Sequence, residues 1–138
     1  MGISMMSRAA APSVRSAQSN LRVGVIRPSV LIVTEDGALA TACRGALELA
    51  GYEVRCASHS GHALLECLSG HRADILLTEL SMPDGSGPAL AERLRRYYPQ
   101  MQAIYFANPG TILNAGNILV RPFSRDELLS RVRAFAAS

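Results

Sequence analysis

From Ser29 onward, short apolar runs alternate with stretches in which apolar residues recur at helical spacing. Ser29–Thr34 is a run of β-branched and aliphatic residues, as expected of a strand buried on both faces. Residues 37–50 put Leu39, Ala40, Cys43, Ala46, Leu47 and Ala50 on one helical face, and Gly51 closes that helix. Tyr52–Ala57 reads as a second strand. Residues 60–69 carry Ala63, Leu64, Cys67 and Leu68 at helical spacing, with Gly70 as terminator. Asp74–Leu80 is a third strand, apolar on both faces and therefore central. Ser86–Tyr98 predicts a helix with Leu90, Ala91, Leu94 and Tyr97 inward. Met101–Phe106 and Asn117–Val120 predict two more strands. The last helix starts at Ser124, where Glu127 three residues on makes a capping box, and its inner face is Leu128, Leu129, Val132 and Phe135.

Strands and helices in strict alternation, with apolar strands, imply an α/β fold. A parallel sheet is covered on both faces by right-handed crossovers. Five strands in about 110 residues fit the flavodoxin-like doubly wound order 2-1-3-4-5, whose ligand crevice lies at the carboxyl ends of strands 1 and 3. Those ends carry Thr34, Glu35 and Asp36, and Glu79. One crossover is too short. Between Ala107 and Arg121 the chain offers turn formers, Asn108-Pro109-Gly110 and Asn114-Ala115-Gly116-Asn117, in a span that must also supply the fifth strand. A crossover with its helix takes at least about 10–12 residues. The fourth helix is therefore expected to be missing or reduced to a turn.

Charge and composition refine this picture. The formal charge is +3, but residues 1–28 contain four arginines (Arg8, Arg15, Arg22 and Arg27) and no acid. That leaves ten arginines against eleven acids in the rest, about −1. Residues 1–28 are expected to form a flexible basic extension and residues 29–138 the folded domain. Within the extension, Leu21–Ile26 alternates weakly, as a stray edge strand would. A near-neutral domain argues against nucleic-acid binding, and no apolar run approaches the roughly 18 residues that span a bilayer. Cys43, Cys56 and Cys67 are scattered in apolar stretches, as buried reduced thiols of a cytoplasmic protein are. His59, His62 and His71 read as surface residues, and Arg93, Arg95 and Arg96 as a solvated helix face.

The stretch Ala73-Asp74-Ile75-Leu76-Leu77-Thr78-Glu79-Leu80-Ser81-Met82-Pro83-Asp84-Gly85-Ser86-Gly87 ends a buried strand at a carboxylate and follows it with a Met-Pro-x-Gly turn. It resembles the phosphorylation-site stretch of response-regulator receiver domains (CheY-like). Val30–Val33 with the acidic cluster after it, Gly51-Tyr52-Glu53-Val54 and Val120-Arg121-Pro122-Phe123 fall in the order of that family. The resemblance implies a two-component signalling module. In the family an aspartate accepts phosphate, an acidic pair helps it hold Mg²⁺, and a lysine pairs with the phosphate. A Thr or Ser and a swinging aromatic report the change. Carried over residue by residue, the acceptor position is Glu79 and the acidic pocket is Thr34, Glu35 and Asp36. The hydroxyl position is Ala107, the aromatic position Ile118 and the lysine position Arg121.

The changed residues alter what the site can do. Glu79 is one methylene longer than aspartate, Thr34 replaces a carboxylate, and Ala107 has no hydroxyl. The expectation is a pseudo-receiver that has no catalytic residue and works as a phosphorylation-independent protein–protein interaction module. At most, weak Mg²⁺ binding at Glu35, Asp36 and Glu79 remains. Arg121 is expected to pair with Glu79, or also with Glu35 or Asp36; a merely solvated loop rim is the alternative. Two other functions stay open: an atypical phosphoacceptor using Asp36 or Asp84, and a flavodoxin-like binder of a small ligand. The expected partners are signalling proteins, with no nucleic acid and no membrane. The face of strands 4 and 5 that the reduced helix leaves bare, with Ile104, Phe106, Ile118 or Val120 and the 108–117 loop, is expected to dock a partner or a second copy of this chain, as a homodimer. The alternative is that the loop or Leu21–Ile26 fills that gap.

Overall fold

The computed structural model describes residues 27–110 and 117–136. β1 (Ser29–Val33) leads through α1 (Gly37–Leu49) to β2 (Glu53–Ala57), and α2 (Ser60–Leu68) leads to β3 (Ile75–Glu79). A hairpin of two-residue strands, β4 (Ser81–Met82) and β5 (Gly85–Ser86), precedes α3 (Gly87–Leu94). β6 (Gln102–Ala107), β7 (Ile118–Val120) and α4 (Arg125–Ala136) complete the chain. The main sheet has the order β2-β1-β3-β6-β7 with every pair parallel, the doubly wound order expected from the sequence.

The continuous apolar runs have a simple cause. Alternate residues of each strand enter two separate cores. Val30, Ile32, Ile75, Leu77, Ile104, Phe106 and Leu119 meet α1 and α4 on one face. Leu31, Val33, Leu76, Ala103, Tyr105, Ala107 and Ile118 meet the α2 and α3 side on the other. Each fully buried aliphatic side chain contributes roughly 1.5–3 kcal/mol of transfer free energy.

Helix ends follow local chemistry. Asp36 Oδ1 accepts the Leu39 amide at 3.1 Å and caps α1, and Ser86 Oγ accepts the Ala89 amide at 3.2 Å and caps α3. The capping box before α4 forms as expected. The Glu127 amide donates to Ser124 Oγ at 3.0 Å, and the Ser124 amide donates to Glu127 Oε1 at 3.2 Å. Burial raises all three thiols, most at Cys43, which is pushed up to about 11.

Several expectations need correction. α3 stops at Leu94 rather than running on to Tyr98. The Tyr97 amide already bonds three residues back, to Leu94 O, so the chain tightens and Tyr97 is left 55% exposed. Tyr98 turns inward instead, its hydroxyl donating to Cys67 O at 2.9 Å. Leu68 and Ala50, placed on inner faces by periodicity, are exposed at the last turns of their helices. Ile104 and Phe106 lie under α1 and α4, on the opposite face from the one proposed for docking. Tyr105, Ala107 and Ile118 occupy that face. Among the described residues no helix lies between β6 and β7. Residues 111–116 of that connection, and residues 1–26 of the expected extension, lie outside the described residues.

Gly87 is the tightest point of the fold. A Cβ there would stand 2.4 Å from the Glu79 carbonyl oxygen, 2.8 Å from the Tyr105 ring and 3.0 Å from the Thr78 methyl. Gly87→Ala should therefore lower unfolding free energy by about 1–3 kcal/mol or more, since backbone cannot step aside cheaply. Gly45→Ala, on the exposed side of α1 with nothing within 4 Å, should leave stability unchanged or raise it by up to about 1 kcal/mol. Urea denaturation of the two variants checks the contrast, and equal effects would contradict the close approach.

Candidate functional site at the carboxyl ends of the strands

Parallel strands put their carboxyl ends at one edge, and four chain segments converge there. Thr34, Glu35 and Asp36 follow β1, Glu79 ends β3, Ala107 ends β6, and Arg121 follows β7. Residues Ile75–Thr78 are buried, so the Glu79 side chain emerges from a sealed strand, and it is itself only 16% exposed.

The structure brings Arg121 onto Glu79. Arg121 Nη1 donates to both carboxylate oxygens, at 2.8 Å to Oε1 and 2.9 Å to Oε2. The Thr34 hydroxyl donates to Oε2 at 2.7 Å and accepts the Asp36 amide at 3.1 Å. The guanidinium fork itself goes elsewhere: Nε and Nη2 both donate to Asn108 Oδ1, at 3.2 and 2.6 Å. The Arg121 amide donates to Ala107 O at 2.9 Å, which fixes the root of the side chain. Arg121 is thus held by its backbone, its fork and its charge partner together.

The other expected site residues lie apart from this contact. Asp36 spends a carboxylate oxygen on the α1 cap rather than on Arg121. Glu35 is exposed and makes no ion pair among the described residues. Ala107 and Ile118 are buried against the α2 and α3 side. Asp84 sits at the turn of the small hairpin, 3.7 Å from His59 Nδ1. Met82 packs inward, its sulfur accepting long hydrogen bonds from Ser60 and Thr78. Tyr105 lies beneath the site. Its phenol is raised by burial, an effect partly offset by the charge of the Arg95 guanidinium and a hydrogen bond from it.

Asn108 was missed by sequence reasoning. It stood out only as a turn former before Pro109, and nothing local shows that its carbonyl reaches an arginine 13 residues later. As arranged, the donors do not fit a divalent ion. Both Glu79 oxygens are engaged, Asp36 caps a helix and the Thr34 hydroxyl is already committed to Glu79 and the Asp36 amide. Among the described residues no group of three or more potential ligands comes together.

Comparison with known proteins fits this fold. Residues 30–133 match the model of the response regulator receiver domain. The chain is 30% identical over 117 residues to the DNA-binding transcriptional regulator NtrC of Bradyrhizobium sp., covering 78% of this chain and 24% of that protein. It is 30% identical over 113 residues to the response regulator MprA of Mycobacterium ulcerans, covering 76% of this chain and 48% of that one. The chain thus spans about a quarter to a half of the length of these curated relatives. A putative response regulator from Chloroflexus aurantiacus superposes with a TM-score of 0.71 at 27% identity, covering 82% of this chain and all of that one. The chemotaxis response regulator CheY4 of Vibrio cholerae gives a TM-score of 0.70 at 22% identity, covering 80% and 99%.

The Arg121–Glu79 contact has a thermodynamic signature. Arg121→Ala should cost about 1–3 kcal/mol by leaving a mostly buried carboxylate without its cation. In a double-mutant cycle with Glu79→Gln, urea denaturation should give a coupling of about 1 kcal/mol. Additivity within about 0.5 kcal/mol would mean that the two side chains do not depend on each other.

Proposed function

The chain belongs to the response regulator receiver domain family, and on that footing we propose that it is an atypical receiver, a pseudo-receiver that acts by docking to signalling proteins without being phosphorylated. The observation that carries this reading is the closed triad of Thr34, Glu79 and Arg121. A phosphoacceptor carboxylate must present a free oxygen in line with the incoming phosphorus, beside a metal that offsets charge. Here each oxygen accepts from the Arg121 guanidinium, one also from the Thr34 hydroxyl, and the extra methylene of glutamate shifts the group from an aspartate's position. A displacement of 1 Å can cost about 10²-fold in rate. Ala107 offers no hydroxyl to follow a phosphoryl group. The module thus has no reaction of its own in this reading, and its Mg²⁺ binding is weak.

The proposed setting is the cytoplasm. No helix among the described residues is long and apolar enough to cross a membrane. Nucleic-acid contact is not proposed for this chain. NtrC is named a DNA-binding regulator, but the match covers only 24% of that protein, and the domain here is close to neutral. The surface proposed for docking, to a signalling partner or a second copy, is the β6–β7 face. There Val120 is 44% exposed beside the buried Tyr105 and Ile118.

Two experiments test this reading. Incubation with acetyl phosphate or phosphoramidate in Mg²⁺ should add no mass. Intact mass spectrometry showing a gain of about 80 Da, one phosphoryl group, that disappears in Glu79→Ala or Asp36→Ala would overturn it. Val120→Glu should weaken self-association in sedimentation equilibrium at least tenfold while leaving the melting temperature unchanged. No change in association would move the docking surface elsewhere.

A further inference from the structure

A second feature lies on the other side of the molecule and is independent of the strand-end site. β2 is an edge strand, and among the described residues no strand pairs with its outer side. The Glu53 amide donates to Pro28 O, and Ala57 O accepts the Thr34 amide, so the odd-numbered residues of β2 face β1. Val54 and Cys56 alternate with them and aim their backbone N–H and C=O outward. A groove of about 450 Å³ runs along this edge, walled by Arg44 and Glu48 of α1 and by Glu66 and Arg72 beside α2. Arg27, the first described residue, lines the same groove.

We propose that Leu21–Ile26 adds to the sheet as a sixth strand, antiparallel to β2. Three physical arguments support this occupant over others. The first is reach. Four residue steps separate Val25 from Ser29, about 14 Å when extended, and two strand spacings are about 9.6 Å. The second is direction: a chain entering β1 from its amino end descends along β2, and β1 and β2 ascend together. The third is parity. Leu21, Val23 and Val25 share one face, matching Val54 and Cys56, which lean on the α1 core. Arg22 and Gly24 then fall on the polar row of Glu53 and Arg55. The added strand satisfies the outward amides and carbonyls and hides an edge that would otherwise template pairing with another chain.

Amide hydrogen exchange in the 138-residue chain tests the proposal. The Val54 and Cys56 amides should exchange as slowly as that of Leu31 in the adjoining strand. Val23→Pro removes a donor from the added strand, so it should speed exchange at Val54 and Cys56 at least tenfold and leave Leu31 and Leu77 unchanged. Gly24→Val keeps the donor and favours extended backbone, so protection should persist or deepen. Fast exchange at Val54 and Cys56 in the unsubstituted chain would overturn the proposal. So would protection that survives Val23→Pro, or protection that rises with protein concentration, which would make the occupant a second copy.

Discussion

A carboxylate at the mouth of a sealed strand must be neutralised where it stands. Glu79 follows four buried residues, and leaving its charge uncompensated would cost about 1–3 kcal/mol. The corner is built around that requirement. Arg121 supplies the opposite charge, Thr34 a hydroxyl, and Asn108 a carbonyl that fixes the plane of the guanidinium. Because the Arg121 amide also bonds Ala107 O, the compensation ties the end of β6 to the chain leaving β7. The ion pair therefore organises contacts among four strand ends, and each of these residues is constrained by the others.

The same corner explains why a glycine follows the hairpin. Gly87 opens α3 directly against the Glu79 carbonyl and the Tyr105 ring, so the helix starts as close to the sheet as backbone allows. Its amide donates to Leu80 O, and the small hairpin between them bulges outward instead of lengthening the strand. Ser86 caps the helix one residue earlier. Hairpin, cap and glycine together turn the chain at the end of β3 without disturbing Glu79.

Much of this was legible in the sequence, for physical reasons that also mark where legibility ends. Strands buried on both faces give continuous apolar runs, so β1, β3 and β6 stood out, and their alternation with helices gave the sheet order and the crevice. The same property erased the face assignment. A run such as Ala103–Ala107 carries no alternation, and Ile104 and Phe106 were placed on the wrong side. Tyr97 continued a helical spacing that the backbone abandons at Leu94. The pairing of Arg121 with Glu79 followed from the resemblance, which sets a basic residue opposite that carboxylate. The redirection of the arginine fork to Asn108 did not, because it depends on where a turn places one amide group. Two-residue strands such as β4 and β5 are too short to leave a pattern at all.

The uniformly parallel sheet also sets an order of assembly. β6 and β7 join residues 13 apart, as in Tyr105 with Ile118, whereas β1 and β3 join residues 45 apart, as in Val30 with Ile75. Closing the longer loop costs roughly 1 kcal/mol more chain entropy. β1, the strand that carries Thr34 to the site, is thus entropically the slowest to gain its inner neighbour. On a ribosome it waits for the whole β2–α2–β3 segment to emerge. Until then its apolar residues have only β2 and the first helix for cover, so a chain that ends before β3 leaves one side of β1 unpaired.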